Sequence, residues 1–282
     1  MDLVVITDVG RDPDDFFTLC WLAPRVNLKA IIVHPGDPDQ IAVAKLICKE
    51  YGLNIPVAAS KANRDKLAVG NFHRELLNKY HFVEQAKSDG LGEDVLKDVF
   101  DAFPEMELFV SGPPTSAGIL FEKNNCSLKR ATMQGGFCPY NWHRPKICLP
   151  HFEGQQYMAT FNLNGDRKNG EKFLNANIKE RRMVGKNVCH TVLFNKEIFD
   201  RRQIKNHLFD AAAEIYFQNH SEKKFHDPTA ACCHLHPEIG TWIKGKTTKM
   251  ATGWTTTAGE DLILADIDYE KLWFHLLGIE NV

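Results

Sequence analysis

Four carboxylates crowd into one short turn near the start of the chain. The segment reads Ile6-Thr7-Asp8-Val9-Gly10-Arg11-Asp12-Pro13-Asp14-Asp15 and directly follows an apolar run. Because carboxylates this close repel one another, a structural role alone explains the segment poorly, and a hard divalent cation held by oxygen ligands would relieve the repulsion. The alternative is a solvated turn in which Asp14 or Asp15 caps the following helix.

A second acidic residue, with a histidine beside it, occurs late in the chain. Phe225-His226-Asp227-Pro228 leads from a loop into an apolar, helix-like stretch. Asp227 fits a helix N-cap followed by proline at the first helical position. It also fits a metal ligand, with His226 as a proton donor facing the same pocket. The residues alone are compatible with both interpretations.

Short apolar segments alternate with helix-like segments and supply the elements that must position these groups. Strands are predicted over residues 3–7, 28–33, 55–58, 106–110 and 129–133 and at 183–184, and helices over 16–22, 40–51 and 115–122. This alternation predicts an α/β fold with an open, mainly parallel sheet and helices on both faces. Ligand sites of such sheets lie beyond the C-terminal ends of the strands, where the acidic turn falls. Without a linker or repeat, residues 1–282 are expected to form a single domain.

Composition excludes several classes of protein. Hydrophobic residues make up 44% of the chain and charged residues 25%, which is typical of a globular protein and argues against disorder. The formal net charge of −2 argues against an electrostatic nucleic-acid binder. No apolar run approaches the ~20 residues that span a bilayer, so no membrane partner is expected. The N-terminus lacks the basic region of a signal peptide, and a cytoplasmic location is therefore expected.

Five short motifs, taken in order, resemble those of the inosine-uridine-preferring nucleoside hydrolase family. That family carries D-T-D-P-G-x-D-D, then G-P-L-T-N, M-G-G, E-F-N and H-D-P. Each motif is weak alone, but the shared order covers roughly residues 3–235. The matching segments are residues 7–15, Gly112-Pro113-Pro114-Thr115-Ser116, Met133-Gln134-Gly135-Gly136, Thr160-Phe161-Asn162 and His226-Asp227-Pro228.

The resemblance implies a calcium-dependent N-ribohydrolase with a Rossmann-like nucleoside hydrolase fold. Such an enzyme cleaves the N-glycosidic bond of a ribonucleoside or close relative by attack of a metal-bound water. The implied Ca²⁺ ligands are Asp8, Asp15, the backbone carbonyl of Thr115, and Asp227. Asp8 is also the implied general base, and His226 the candidate acid for the leaving base. The implied partner is a small-molecule nucleoside or nucleotide, and since the family is commonly oligomeric, a homo-oligomer is a further expectation.

The implied substrate-binding residues include two departures from the family pattern. Asp14 and Asn162 would bind ribose hydroxyls. Asp37 stands where the family has an asparagine, and it cannot donate a hydrogen bond unless it is protonated. Thr160 replaces the glutamate of E-F-N, which removes a negative charge from the 5′ end of the ribose.

The change at Thr160 has two interpretations. It is either tolerated in an ordinary nucleoside hydrolase or a sign of a substrate with a different 5′ group, such as a phosphate. Cations of the preceding loop would then approach that group, namely His143, Arg144, Lys146 and His151. A catalytically silent homologue that binds a ribosyl ligand is a third interpretation, although such a protein has no need of the complete aspartate set.

The segment 137–157 is the most irregular part of the chain, and a loop of this length is more often functional than idle. Its aromatic residues either stack on a nucleobase or, the favoured interpretation, pack locally. They are Tyr140, Trp142, Phe152 and Tyr157.

Overall fold

The structure is a computed structural model that describes residues 1–60, 69–83, 85–124 and 126–280. Within these ranges the strands are β1 (Asp2–Thr7), β2 (Asn27–Val33), β3 (Val57–Ala59), β4 (Glu107–Val110), β5 (Leu128–Gln134), β6 (Ile178–Val184), β7 (Leu193–Asn195), β8 (Glu222–Lys224), β9 (Gly240–Lys249) and β10 (Trp254–Ile267). The helices are α1 (Pro13–Leu22), α2 (Pro38–Glu50), α3 (Asn71–Lys79), α4 (Gly92–Ala102), α5 (Thr115–Lys123), α6 (Phe161–Gly165), α7 (Arg167–Leu174), α8 (Lys186–Cys189), α9 (Lys196–Asp200), α10 (His207–Phe217), α11 (His226–Leu235) and α12 (Tyr269–Leu277).

Eight strands form one twisted sheet in the order β3-β2-β1-β4-β5-β6-β10-β9. Every neighbouring pair from β3 to β10 is parallel, and only the edge pair β9–β10 is antiparallel. The predicted open, mainly parallel sheet is thus confirmed. The strands β2 and β3 lie on one side of β1, and the strands from β4 onward in this sheet lie on its other side. The gap between the ends of β1 and β4 is therefore the topological switch point, where such sheets bind ligands.

The central strand β1 shows why both faces of the sheet need helices. Leu3 and Val5 pack into a core formed with α1, α2, α10, α11 and α12. Val4 and Ile6 pack into a second core with α4, α5 and α7. Since successive strand residues point to opposite faces, these two cores cover the two sides of the sheet. An apolar run without polar alternation is what a strand buried on both faces requires.

Two parts of the sheet differ from the sequence prediction. β6 has seven residues rather than the two predicted, because its first half carries charged side chains that read as a surface segment. In the fold they are paired: Arg181 Nη1 lies 2.7 Å from Asp261 Oδ1, and Arg182 pairs with Glu180. The β9–β10 hairpin was not predicted, since its ten- and fourteen-residue strands carry many threonines and lysines.

The irregular loop 137–157 packs on itself. Phe137, Tyr140 and Phe152 are buried together in a small cluster, and a single 3₁₀ turn at Pro150–Phe152 is its regular structure. The favoured interpretation of local packing therefore describes Tyr140 and Phe152. No helix among the described residues is long and apolar enough to cross a membrane.

Candidate active site

Three carboxylates from distant parts of the chain meet at the C-terminal edge of the sheet. Asp14 and Asp15 lie in the first turn of α1, and Asp227 lies in the first turn of α11. One oxygen from each lies within 4.8 Å of the other two, and the side chains are only 1%, 2% and 5% exposed. The two helices pack against each other, so the positive ends of two helix dipoles face one acidic group.

None of these three carboxylates caps its helix. α1 begins at Pro13, and the N-cap residue Asp12 makes no side-chain capping hydrogen bond. α11 begins at His226, with Phe225 in the N-cap position. The capping interpretations of Asp14, Asp15 and Asp227 therefore do not account for them.

Hydrogen bonds and one cation hold the cluster in place. Asp15 Oδ1 accepts from Thr7 Oγ1 at 2.5 Å and from Ser111 Oγ at 2.8 Å. Lys223 Nζ lies 2.6 Å from Asp12 Oδ1 and 3.6 Å from Asp14 Oδ1. A single lysine beside this many carboxylates leaves the group with excess negative charge.

The excess charge appears as raised pKa values. Burial, reinforced by Asp15 and Asp14, raises the pKa of Asp8 well above its ordinary value. Burial and the same neighbours raise the pKa of Asp227, and burial and Asp14 raise that of Asp15. Added positive charge would favour the ionised form of each of these carboxylates. Clustered carboxylate oxygens are the donor set that a hard divalent cation prefers, so the residues present fit such an ion.

Asp8 stands slightly apart from the three-carboxylate cluster. It follows β1 directly, is half-buried and lines the same cavity. The neighbouring loop comes very close: a Cβ on Gly112 would lie 2.7 Å from the carbonyl carbon of Thr7 and 2.8 Å from the Asp8 amide nitrogen. Only glycine at position 112 lets the chain after β4 approach the acidic turn this closely.

Ser111 and Asn162 form the polar wall beside the carboxylates. Ser111 follows β4, and its amide donates to the carbonyl of Ile6 at 2.7 Å. Asn162 Nδ2 donates to the carbonyl of Ser111 at 2.7 Å and to Gln134 Oε1 at 2.8 Å. The amide of Asn162 is therefore fixed in orientation.

Two predicted site residues lie elsewhere. Thr115 begins α5 and is not among the residues lining the cavity; its hydroxyl donates to Asp166 Oδ2 at 2.8 Å. The hydroxyl of Ser111 contacts Asp15, and the role implied for the backbone carbonyl of Thr115 stays a prediction. Asp37 caps α2: its Oδ1 accepts from the amides of Asp39 and Gln40, each at 3.0 Å, and it too lies outside the cavity lining. The sequence Asp-Pro-Asp-Gln is a capping box, which explains its burial.

His226 stacks on a histidine that the sequence did not single out. The rings of His226 and His190 have centroids 4.6 Å apart at an interplanar angle of 27°, and His226 Nδ1 lies 3.5 Å from Asp14 Oδ2. Burial and nearby positive groups lower the pKa of each ring to about 3, so both are neutral at neutral pH. His190 follows β6 by six residues, and its place at the same sheet edge was the signal that could have identified it.

These groups line a cavity of about 1010 Å³. Asp8, Asp14, Asp15, Thr160, Asn162, His226 and Asp227, all predicted from the sequence, are among its lining residues. One side carries apolar and aromatic groups from α3 and α10, namely Phe72, Ile215 and Tyr216. Thr160, Phe161, Lys186 and His190 also line the cavity. The four loop cations at 143, 144, 146 and 151 are not part of the lining; Arg144, for example, pairs with Glu153 at 3.0 Å.

No protein-family model matches the chain, and no curated protein matches it by sequence. Solved structures do match. A plant nucleoside hydrolase superposes with a TM-score of 0.76 at 17% identity, covering 98% of this chain and 97% of that one. An inosine-uridine-preferring nucleoside hydrolase from Bacillus anthracis gives 0.72 at 16% identity and the same coverage. A purine-preferring ribonucleoside hydrolase from Gardnerella vaginalis gives 0.71 at 13%, covering 98% and 96%.

These likenesses extend over nearly the whole chain. They confirm that the chain has the nucleoside hydrolase fold, which was the fold implied by the five motifs. Because the sequence identities are below one in five, these superpositions show the fold alone. The chemistry must be argued from the site itself.

Proposed function

We propose that this chain is a calcium-dependent N-ribohydrolase that acts as one domain and cleaves the N-glycosidic bond of a ribonucleoside-type substrate. One observation carries the proposal. Asp14, Asp15 and Asp227, buried and mutually repelling, converge at the switch point of a nucleoside hydrolase fold, beside a fixed Asn162. The cavity volume of about 1010 Å³ is sufficient for a nucleoside.

The donor set favours calcium. Asp15 and Asp227 of the cluster offer carboxylate oxygens, and Asp8 lines the same cavity. Calcium takes 6–8 oxygen ligands in flexible geometry, whereas magnesium demands a smaller octahedron and usually keeps several waters. When bound, the ion neutralises the cluster, lowers the pKa of water and fixes where that water sits. Asp14, which is held by Lys223 and faces His226, is left to accept hydrogen bonds from ribose hydroxyls.

The chain's own groups then serve a hydrolytic displacement at C1′. A water oxygen forms a bond to C1′, and the C1′–N bond breaks with its electron pair leaving on the base. Asp8 accepts the proton of the attacking water. The ribose becomes positively charged in the oxocarbenium-like transition state, and the surrounding carboxylates stabilise that charge. The ring N–H of His226 donates a hydrogen bond to the departing base.

The two sides of the cavity suit the two ends of the substrate. Phe72 and Tyr216 lie with ring centroids 6.0 Å apart, and Tyr216 stacks on His220 at 4.5 Å. Aromatic groups of this kind stack on planar nucleobases. We therefore assign the side formed by α3 and α10 to the base. The floor of the cavity, which carries the clustered aspartates, is assigned to the ribose.

Release of free base is the direct test. A panel of purine and pyrimidine ribonucleosides is incubated with the protein and calcium, with and without a chelator, and free base is quantified by chromatography. We expect base release that the chelator abolishes and added calcium restores. Asp8→Asn should be inactive, while Asp101→Asn, an exposed aspartate far from the cavity, serves as the matched control. Activity that persists in Asp8→Asn would contradict the assignment of the base.

A further inference from the structure

The cavity contains two lysines that differ in what neutralises them. Lys223, at the floor, is paired with Asp12 and Asp14. Lys186, at the start of α8, donates to the neutral carbonyl of Ala159 at 2.8 Å. Among the residues that the structure describes, no carboxylate lies within ion-pair distance of Lys186. This part of the cavity therefore holds a positive charge that no carboxylate of the described residues neutralises.

Lys186 belongs to a connected wall that includes Thr160. The Lys186 amide donates to the carbonyl of Gly136 at 3.1 Å, and the Gly136 amide donates to Thr160 Oγ1 at 3.5 Å. Thr160 is 3% exposed, and it follows Ala159, to which the Lys186 ammonium is bound. The wall thus offers an ammonium and a hydroxyl side by side.

The surroundings of this wall are positive as well. Burial, together with Lys224, lowers the pKa of Lys186. His190, the neighbouring lining residue, has its pKa lowered by burial, His226, Lys186 and Lys224. An anionic group entering here would meet the ammonium of Lys186.

Sheet geometry separates this wall from the base side. Lys186 follows β6, whereas Phe72 lies on α3, whose preceding Gly70 donates to the carbonyl of Gly10 in the acidic turn after β1. β6 lies three strands from β1, which is roughly 14 Å at the ordinary strand spacing. The base at C1′ and the C5′ group at C4′ leave a ribose ring at opposite ends. If the base lies by α3 and α10, the C5′ group points to Lys186.

We propose that Lys186 and Thr160 bind an anionic group on C5′, so that the substrates are nucleoside 5′-monophosphates rather than free nucleosides. The inference rests on the proposed N-ribohydrolase function. The reaction is then water plus nucleoside 5′-monophosphate giving ribose 5-phosphate and free base, with no other reactant. Lysine binds phosphate as a point charge, and the Thr160 hydroxyl adds a donor. The aspartates of the cavity floor would repel a phosphate placed beside them, whereas the Lys186 ammonium would attract one.

Substrate preference and one lysine test the proposal together. The values of kcat/KM are compared for a nucleoside, its 5′-monophosphate and its 3′-monophosphate, in the wild type and in Lys186→Gln. We expect the 5′-monophosphate to be preferred, and Lys186→Gln to lower its kcat/KM by about 10–100-fold, as for loss of a hydrogen bond to a charged group. The nucleoside should change less than about threefold. The exposed loop lysine variant Lys146→Gln is the matched control.

A binding measurement keeps this test independent of turnover. Ribose 5-phosphate and ribose are titrated calorimetrically into the calcium-loaded protein. We expect ribose 5-phosphate to bind at least about tenfold more tightly, with the advantage lost in Lys186→Gln. If that advantage appears but no base is released from any substrate, the anion subsite stands and the hydrolase assignment fails.

The opposite results overturn the inference. Free nucleosides cleaved as well as or better than 5′-monophosphates, with Lys186→Gln neutral toward both, would leave a hydrolase without the anion subsite. Equal binding of ribose and ribose 5-phosphate would do the same in an inactive protein. Thr160→Glu provides a reciprocal variant: the added carboxylate should abolish the preference for the 5′-monophosphate, with thermal melting used to confirm that it folds.

Discussion

Buried carboxylates lie beside both ends of the strand β4, and they are neutralised differently at the two ends. At the N-terminal end of β4, the buried Glu107 is paired with Arg130 Nη1 at 3.1 Å, and His234 at the far end of α11 lies 3.4 Å from it. At the C-terminal end, Asp15 and Asp227 face other carboxylates. The fold thus neutralises one buried acid with its own cation and leaves the other group to be neutralised from outside.

This contrast separates structural from functional burial of charge. A buried carboxylate that has a guanidinium partner stabilises the packing around it, and removing one partner is costly. Buried carboxylates that face one another raise the free energy of the folded chain until a ligand arrives. Burial alone would not have distinguished the two, since Glu107 and Asp227 are both 5% exposed.

The largest effect should come from removing a carboxylate at the C-terminal edge. We expect Asp227→Asn to lower kcat/KM for base release by on the order of 10²–10³-fold, as for loss of one charge-stabilising group. In calcium-free protein the same change should not lower the melting temperature, because it relieves repulsion. A fall in melting temperature comparable to that of Glu107→Gln would show that Asp227 stabilises the fold as Glu107 does.

Calcium should raise the free energy of unfolding through the aspartates at the C-terminal edge of the sheet and not through Glu107. At a free concentration 100 times its Kd, the ion raises the free energy of unfolding by about 2.7 kcal/mol. Melting curves with calcium and with chelator should show this shift in the wild type and in Glu107→Gln but not in Asp227→Asn. An equal shift in Asp227→Asn would place the ion elsewhere.

Glu107→Gln should affect stability rather than chemistry. It leaves Arg130 without one of its two carboxylates, and we expect a loss of about 2 kcal/mol, below the range for fully buried pairs because Arg130 is a quarter exposed. Denaturant unfolding measures the loss. At a temperature where the variant is folded, kcat/KM should match the wild type, and a large decrease would refute a purely structural role.

Asp37 offers a third kind of buried carboxylate, satisfied by backbone amides. Asp37→Ala should lower the free energy of unfolding by about 1 kcal/mol through loss of the α2 cap, with base release unchanged. Asp37→Asn, which keeps a capping side chain, is the matched variant. If Asp37→Ala instead raised KM without affecting stability, the substrate-binding role implied by the sequence would be restored.

The sequence allowed the open, mainly parallel sheet to be predicted, and it identified aspartates that the structure brings to one cavity. The turn after β1 and the His226-Asp227 pair are contiguous in sequence, so their residue types can be recognised without knowledge of the fold. Ser111 was missed because G-P-P-T-S matches the family motif one residue after it, and only the pairing of β4 beside β1 shows which residue faces Asp15.

The parts that could not be predicted depend on contacts between distant segments. Lys186 and His190 carry no motif, and they reach the cavity only because β6 ends at the same edge as β1. Asp37 resembled a site residue in sequence, but its local capping bonds fix it away from the cavity lining. The loop cations around 144 were the expected anion partners, and an ion pair with Glu153 holds Arg144 instead.

Ser111 links two functions through a single residue. Its hydroxyl donates to Asp15, and its carbonyl accepts from Asn162 at 2.7 Å. If the cluster binds an ion and Asn162 a sugar, as proposed, a rearrangement of the carboxylates on ion binding would reach the Asn162 amide through Ser111, and the reverse would hold by thermodynamic reciprocity. Ion and sugar should each bind more tightly in the presence of the other, which makes the apparent affinity for either one depend on the concentration of its companion.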